Sequence, residues 1–181
     1  MEWDLPPTIS FRRKAAASAY QKHLYLEADG TFRADLTTWE RDVLALALAD
    51  TTAVAWLRNV DRQPWSFEVP YQQGADTRSL FPDLVVVRRL GSQLVADVLE
   101  PHDPTIDDNV GKAKGLARFA EHHGAGFGRI GLVRKMRIAS GAERYRLLDC
   151  NEADTRRRTL EISAPEQLDR LFADRGVEIG T

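Results

Sequence analysis

Apolar positions along the chain switch between two spacings, and the switches mark out its elements. From Thr37 to Ala49, Trp39, Val43, Leu44, Ala47 and Leu48 recur at helical intervals, the stripe an amphipathic helix lays on a core. Thr37-Thr38-Trp39-Glu40 reads as a capping box, in which the Thr37 hydroxyl accepts from the third helical amide and Glu40 reaches back to the cap. Before it, Lys22 to Glu27 alternates as a short strand closed by the hairpin-type turn Ala28-Asp29-Gly30-Thr31. A second short helix is expected over Val54 to Leu57. Three strand-like segments follow. Trp65 to Tyr71 alternates on Trp65, Phe67, Val69 and Tyr71 and runs into a Gln-Gln-Gly-Ala-Asp turn; Leu84 to Val87 is a β-branched run; Leu94 to Leu99 is another, ended by Pro101. Helical spacing returns from Asp108 to His123, where Ala113, Leu116, Ala117 and Ala120 share a face and Gly124 stands at the C-cap. Arg129 to Met136 and Tyr145 to Asp149 read as further strands, and Ser163-Ala164-Pro165-Glu166 as the capping box of a last helix ending near Gly176. The central order is helix, three strands, helix, strand, an α/β arrangement with a mixed sheet flanked by helices.

Composition narrows this to one domain. The chain has 181 residues, 43% hydrophobic and 29% charged, a length that suits a single core. Residues 1–21, with Pro6-Pro7 and a basic cluster, read as an arm or linker, 22–150 as the domain, and 151–181 as a strand and helix appended to it. The lone Cys150 excludes an internal disulfide and a cysteine-rich zinc site, and fits reducing, cytoplasmic conditions. Met1-Glu2-Trp3-Asp4 is no signal peptide, and the apolar run Val43 to Ala49 is too short for a bilayer, so no membrane partner is expected. A formal charge of -2 argues against nucleic-acid binding by net charge alone. It leaves local patches at Arg12-Arg13-Lys14 and Arg156-Arg157-Arg158, which also read as solvated stretches.

The candidate chemistry centres on carboxylates. Asp83 stands at the mouth of one buried strand and Asp97 lies inside the next, among Val95, Ala96, Val98 and Leu99. An ionised carboxylate there is costly unless paired or bound to a cation. Two on neighbouring strands make a simple hard-oxygen site for Mg²⁺; alternatively, Asp83 caps a turn and Asp97 pairs with an arginine such as Arg88. In Glu100-Pro101-His102-Asp103, Glu100 faces away from Asp97 on a regular strand, so a bulge before Pro101 would be needed to turn it inward. His102 is a candidate general base or metal ligand, or a hydrogen-bonded loop histidine. Trp56, Arg58 and Asn59 suit contact with nucleic acid, although Trp56 also fits a core and Arg58 an acid partner. His122 and His123 suit the negative end of a helix.

Phe81-Pro82-Asp83, a buried strand, a short turn and Val95-Ala96-Asp97-Val98-Leu99 resemble the motif of the PD-(D/E)XK, restriction-endonuclease-like superfamily, whose core is helix, three strands, helix, strand. More widely, Lys22-His23-Leu24-Tyr25, Trp56-Leu57-Arg58-Asn59, Tyr71, Phe81-Pro82-Asp83, Glu100-Pro101-His102-Asp103 and Lys112-Ala113-Lys114-Gly115-Leu116-Ala117 resemble the C-terminal region of DEAD/DEAH-box helicases related to the type III restriction enzyme nuclease subunit. The resemblance spans Lys22 to Arg134 and implies a nuclease acting on DNA with Mg²⁺ or Mn²⁺, serving a helicase in cis or in trans. The motor itself is absent, since no Gly-x-x-x-x-Gly-Lys-Ser/Thr loop occurs. On this resemblance Asp83 and Asp97 are metal ligands, joined by Glu100 and by Glu40 of the first helix, although Glu40 also suits the cap. The pattern's lysine, two residues after the second acid, falls on Leu99, leaving Lys112 or Lys114 of the following helix, with His102, as the groups to handle the attacking water. Two other readings keep the fold: a catalytically silent domain that binds DNA or regulates a helicase, and a protein-interaction domain docking on one.

Overall fold

In the computed structural model, residues 3–10, 17–138 and 141–179 are described. Two short strands, β1 (Ser18–Tyr20) and β2 (Phe32–Ala34), pair antiparallel as a ribbon of their own. Helix α1 (Thr38–Ala49) leads into β3 (Ala53–Arg58), a hairpin of β4 (Val69–Gln73) and β5 (Asp76–Leu80), then β6 (Leu84–Leu90) and β7 (Gln93–Pro101). Helix α2 (Asn109–His123) passes through a short 3₁₀ turn into β8 (Phe127–Arg137), followed by β9 (Glu143–Asp149), α3 (Ala153–Glu161), α4 (Pro165–Arg175) and β10 (Val177–Glu178). Six strands form one mixed sheet in the order β10-β9-β8-β7-β6-β3. Its neighbours are antiparallel except β7 and β8, which run parallel because α2 carries the chain back across the sheet.

Side chains alternate across that sheet and split the core in two. On one face Leu84, Val86, Leu99, Val133 and Leu147 meet Val43, Leu44 and Ala47 of α1. On the other, Val98, Ile130, Leu132 and Leu148 meet Ala113, Leu116, Ala117 and Phe119 of α2, with Leu168, Leu171 and Phe172 of α4 closing the layer. The β4–β5 hairpin lies outside the sheet, against α2. Backbone and helix approach so closely there that a Cβ at Gly111 would sit 2.5 Å from the Gln72 carbonyl oxygen, and one at Gly115 2.7 Å from the Tyr71 Cβ. Only glycine fits these two turns of α2. No described helix is long and apolar enough to cross a membrane.

Several expected elements come out differently. Val54 to Leu57 is part of edge strand β3, not a helix; a short apolar run carries no period of its own, and pairing with β6 decides it. Trp65 to Tyr71 becomes a strand only from Val69, and its partner β5, polar and exposed, gave no apolar signal. The strand expected over Lys22 to Glu27 is reduced to one parallel bridge between His23 and Trp56. Helix α3 was not expected. The last helix is capped by the Gln167 side chain, which accepts from the Ala164 amide at 3.1 Å, rather than through Glu166. Part of the presumed arm is built into the domain: the Trp3 indole donates to the Trp65 carbonyl at 2.8 Å, and β1 pairs with β2. Arg12, Arg13 and Lys14 lie outside the described residues. The other presumed basic patch sits at α3, where the domain's own groups take it up: Arg157 pairs with Asp154 and Glu161, Arg158 with Asp174, and Arg156 donates to the Cys150 and Asn151 carbonyls.

Candidate acidic site at the strand ends

The turn between β6 and β7 sets which residues meet. Leu90 pairs with Gln93 around the two residues Gly91-Ser92, and the ladder then runs unbroken to Leu84 opposite Leu99. Gly91 has φ +61°, a conformation that such tight turns give to glycine. One step past the last pair, Asp83 comes beside Glu100, and its amide donates to Glu100 Oε2 at 3.1 Å. Asp97 pairs instead with Val86, three positions along and on the opposite face.

Asp83 and Asp97 therefore do not share a site. Asp97 is fully buried between two guanidinium groups. Arg88 Nε donates to Oδ2 at 2.7 Å and Nη2 to Oδ1 at 3.0 Å, while Arg129 adds its amide at 2.9 Å and Nε at 2.7 Å. Both carboxylate oxygens are saturated, a structural arrangement with no opening for a cation. The pairing with Arg88 is the one observed, and Leu99 is simply core.

Around Asp83 the polar residues gather from four elements. Arg58, at the end of β3, donates from Nη1 to Asp83 Oδ1 at 2.7 Å and places Nη2 3.2 Å from Glu40 Oε1. Glu40 keeps its capping role at the same time, because its other oxygen accepts from the Thr37 amide at 2.8 Å. From the opposite layer, Lys112 of α2 lies 3.7 Å from Glu100 Oε1 and 3.4 Å from Asp108 Oδ2, and Asp108 also accepts from the Tyr71 hydroxyl at 2.9 Å. Glu100 reaches this cluster on a regular strand, without the bulge. His102, two residues on, has its amide donating to Val133 and its Nε2 buried without a partner among the described residues. Lys114 lies on the other flank of α2 and forms no ion pair with the described residues.

Burial, first, pushes the carboxyls of Asp83 and Glu100 up from their ordinary values, and each is raised further by a neighbouring carboxylate; Arg58 and Lys112 pull the other way. Burial, then the charges of Lys112 and Arg134, depresses His102 to about 4, so its ring is neutral at ordinary pH. Arg58 and Lys112 offset only part of what burial and mutual repulsion impose on the two acids. No group of three or more His, Cys, Asp or Glu side chains among the described residues is arranged to hold a metal. Beside Asp83 a cavity of about 260 Å³ opens, lined by Arg58, Asn59, Asp35, Asp61 and Phe81.

Fold and site together define a mixed α/β domain with a carboxylate pair at its strand ends, flanked by one arginine and one lysine. The chain belongs to the YagJ family, whose sequence profile matches residues 21–178. It is similar to Protein YagJ of Escherichia coli (strain K12), 24% identical over 162 residues, which are 89% of this chain and 63% of that relative. The chain thus spans less than two thirds of that relative's length. No solved structure matches it.

Proposed function

We propose that this chain is a divalent-cation-dependent phosphodiester hydrolase domain acting on DNA, of restriction-endonuclease-like architecture, with Asp83 and Glu100 as its paired acids. One observation carries the reading: the β6–β7 register brings Asp83 beside Glu100, with Lys112 of α2 at 3.7 Å. The order of α1, three antiparallel sheet strands, α2 and a parallel fourth strand supports the same architecture. Mg²⁺ or Mn²⁺ on the two carboxylates would supply Lewis acidity to a phosphoryl oxygen and a low-pKa water. The chain's own residues do the rest. Lys112, tethered by Glu100 and Asp108, orients an oxygen beside Glu100 and balances charge that grows there. His102, neutral and two residues beyond Glu100, with its Nε2 unpartnered among the described residues, is the candidate to take a proton from a positioned water. A DEAD/DEAH-box helicase, in cis or in trans, is the partner this reading carries with it.

A second reading keeps the fold and drops the chemistry. Arg58 already occupies Asp83 Oδ1, as expected of a domain that grips DNA or regulates a motor without cutting. Incubation of the purified chain with plasmid and single-stranded DNA in Mg²⁺, Mn²⁺ or chelator separates the two. The hydrolase reading expects cation-dependent cleavage that falls at least about a hundredfold in Asp83→Asn and in Lys112→Ala. Wild-type cleavage no higher than that of Asp83→Asn refutes it.

A further inference from the structure

Arg58 does more than neutralise a neighbour. Its guanidinium bridges carboxylates from two separate elements, 2.7 Å from Asp83 Oδ1 and 3.2 Å from Glu40 Oε1. Glu40 cannot follow it outward, because its second oxygen is fixed in the cap of α1. The Arg58 backbone is fixed too: its amide donates to His23 Nε2 at 3.0 Å, and the His23 ring stacks on Phe32 at 3.4 Å. Only the side chain is free to move. The cavity of about 260 Å³ beside it gives the guanidinium room to turn.

On the reading that Asp83 is a cation ligand, we infer that Arg58 is a displaceable internal counter-ion. It holds Asp83 and Glu40 in the place of the metal ion, and turns into the adjoining cavity when the ion binds. A guanidinium and a divalent cation cannot both occupy the inner side of Asp83, since both seek the same oxygen and repel each other. Binding of the ion and the Arg58–Asp83 contact are therefore antagonistic. Once displaced, Arg58 stands at the rim of the site with its donors free for a phosphate oxygen of the substrate, which a guanidinium grips in bidentate fashion. The domain without cation keeps its acids paired, and the arginine becomes available to DNA only when the ion is in place.

The test is calorimetric titration with Mn²⁺ of wild type, Arg58→Gln, Arg58→Lys and Asp83→Asn. Arg58→Gln is expected to bind Mn²⁺ about tenfold tighter than wild type, and Arg58→Lys, which keeps the charge but cannot span both carboxylates, a few-fold tighter. Asp83→Asn is expected to abolish binding. A merely structural arginine would give the opposite sign, because its loss would loosen the acids and weaken the site. Equal or weaker binding by the Arg58 variants, with Asp83-dependent binding in wild type, overturns the counter-ion role and leaves the hydrolase reading intact. No Asp83-dependent Mn²⁺ binding in wild type or in either Arg58 variant overturns both. If Arg58→Gln does not fold, Arg58→Lys alone decides.

Discussion

Asp97 and Glu100 are three residues apart on one strand and have opposite fates. The sequence makes Asp97 the conspicuous one, a lone acid in an apolar run, and the structure explains its presence by two arginines on a saturated carboxylate. Neutralising this anion by mutation leaves Arg88 without its bidentate partner and Arg129 with only the longer contact to Asp50, at 4.0 Å. Asp97→Ala is expected to cost roughly 3–5 kcal/mol, the usual penalty for breaking a buried pair from one side. Chemical denaturation measures it; a loss below about 1 kcal/mol would mean the arginines find water instead. Glu100 was legible too, from a subtler signal. Counting outward from the two-residue turn Gly91-Ser92 puts Asp83 opposite Glu100 and Asp97 opposite Val86. Turn length fixes register, and a one-residue error flips every side chain to the other face.

At the scale of elements, α1, β6, β7, α2, β8 and β9 were readable because each carries a clear period or a run bounded by Gly, Pro or a cap. β3 and β5 were not. A short apolar edge strand looks like a fragment of helix, and a polar strand outside the main sheet has no apolar side to announce it. What fastens β3 is the segment containing His23. The Trp56 amide donates to the Lys22 carbonyl at 2.9 Å and the Leu24 amide to the Trp56 carbonyl at 2.8 Å, so the segment continues the sheet edge for one step. Backbone N–H groups face both ring nitrogens of His23, the Arg58 amide at Nε2 and the Tyr25 amide at Nδ1, each at 3.0 Å, and Nδ1 also lies 2.9 Å from the Tyr25 carbonyl oxygen. Protonation would turn a donor against the Arg58 amide. Burial first, opposed by the hydrogen bond to Tyr25, holds His23 down at about 4, against 6.5 for the free side chain. The neutral ring is thus favoured by folding, and its contribution is complete above pH 6.5 and lost as the pH falls towards about 4. Up to about 3 kcal/mol is at stake, at about 1.4 kcal/mol per pKa unit. Urea midpoints of wild type and His23→Gln between pH 7.5 and 4.5 are expected to show wild type losing more stability on acidification. Parallel losses would remove His23 from the account.

The whole molecule is a sheet between two unequal layers, and the site lies where both reach the strand ends. Glu40 and Arg58 approach from the α1 side and Lys112 from the α2 side, so neither core alone assembles it. That explains why residue types suggested an acidic centre while their grouping stayed out of reach of periodicity: Glu40 and Lys112 lie far apart in sequence and meet only through the sheet between them. It also means that stability and chemistry pull in different directions at Glu100. A buried carboxylate beside another destabilises the fold that contains it, so a site kept for function is one whose neutral replacement folds at least as well.

The central claim, that Glu100 and not Asp97 completes the acidic pair with Asp83, is tested most directly by comparing Glu100→Gln with wild type in Mn²⁺-dependent DNA cleavage, each checked for thermal stability at pH 8. The account predicts that Glu100→Gln is more stable than wild type at pH 8, because burial and Asp83 penalise the charged carboxyl, while cleavage falls at least about a hundredfold. Cleavage by Glu100→Gln at the wild-type rate would contradict it.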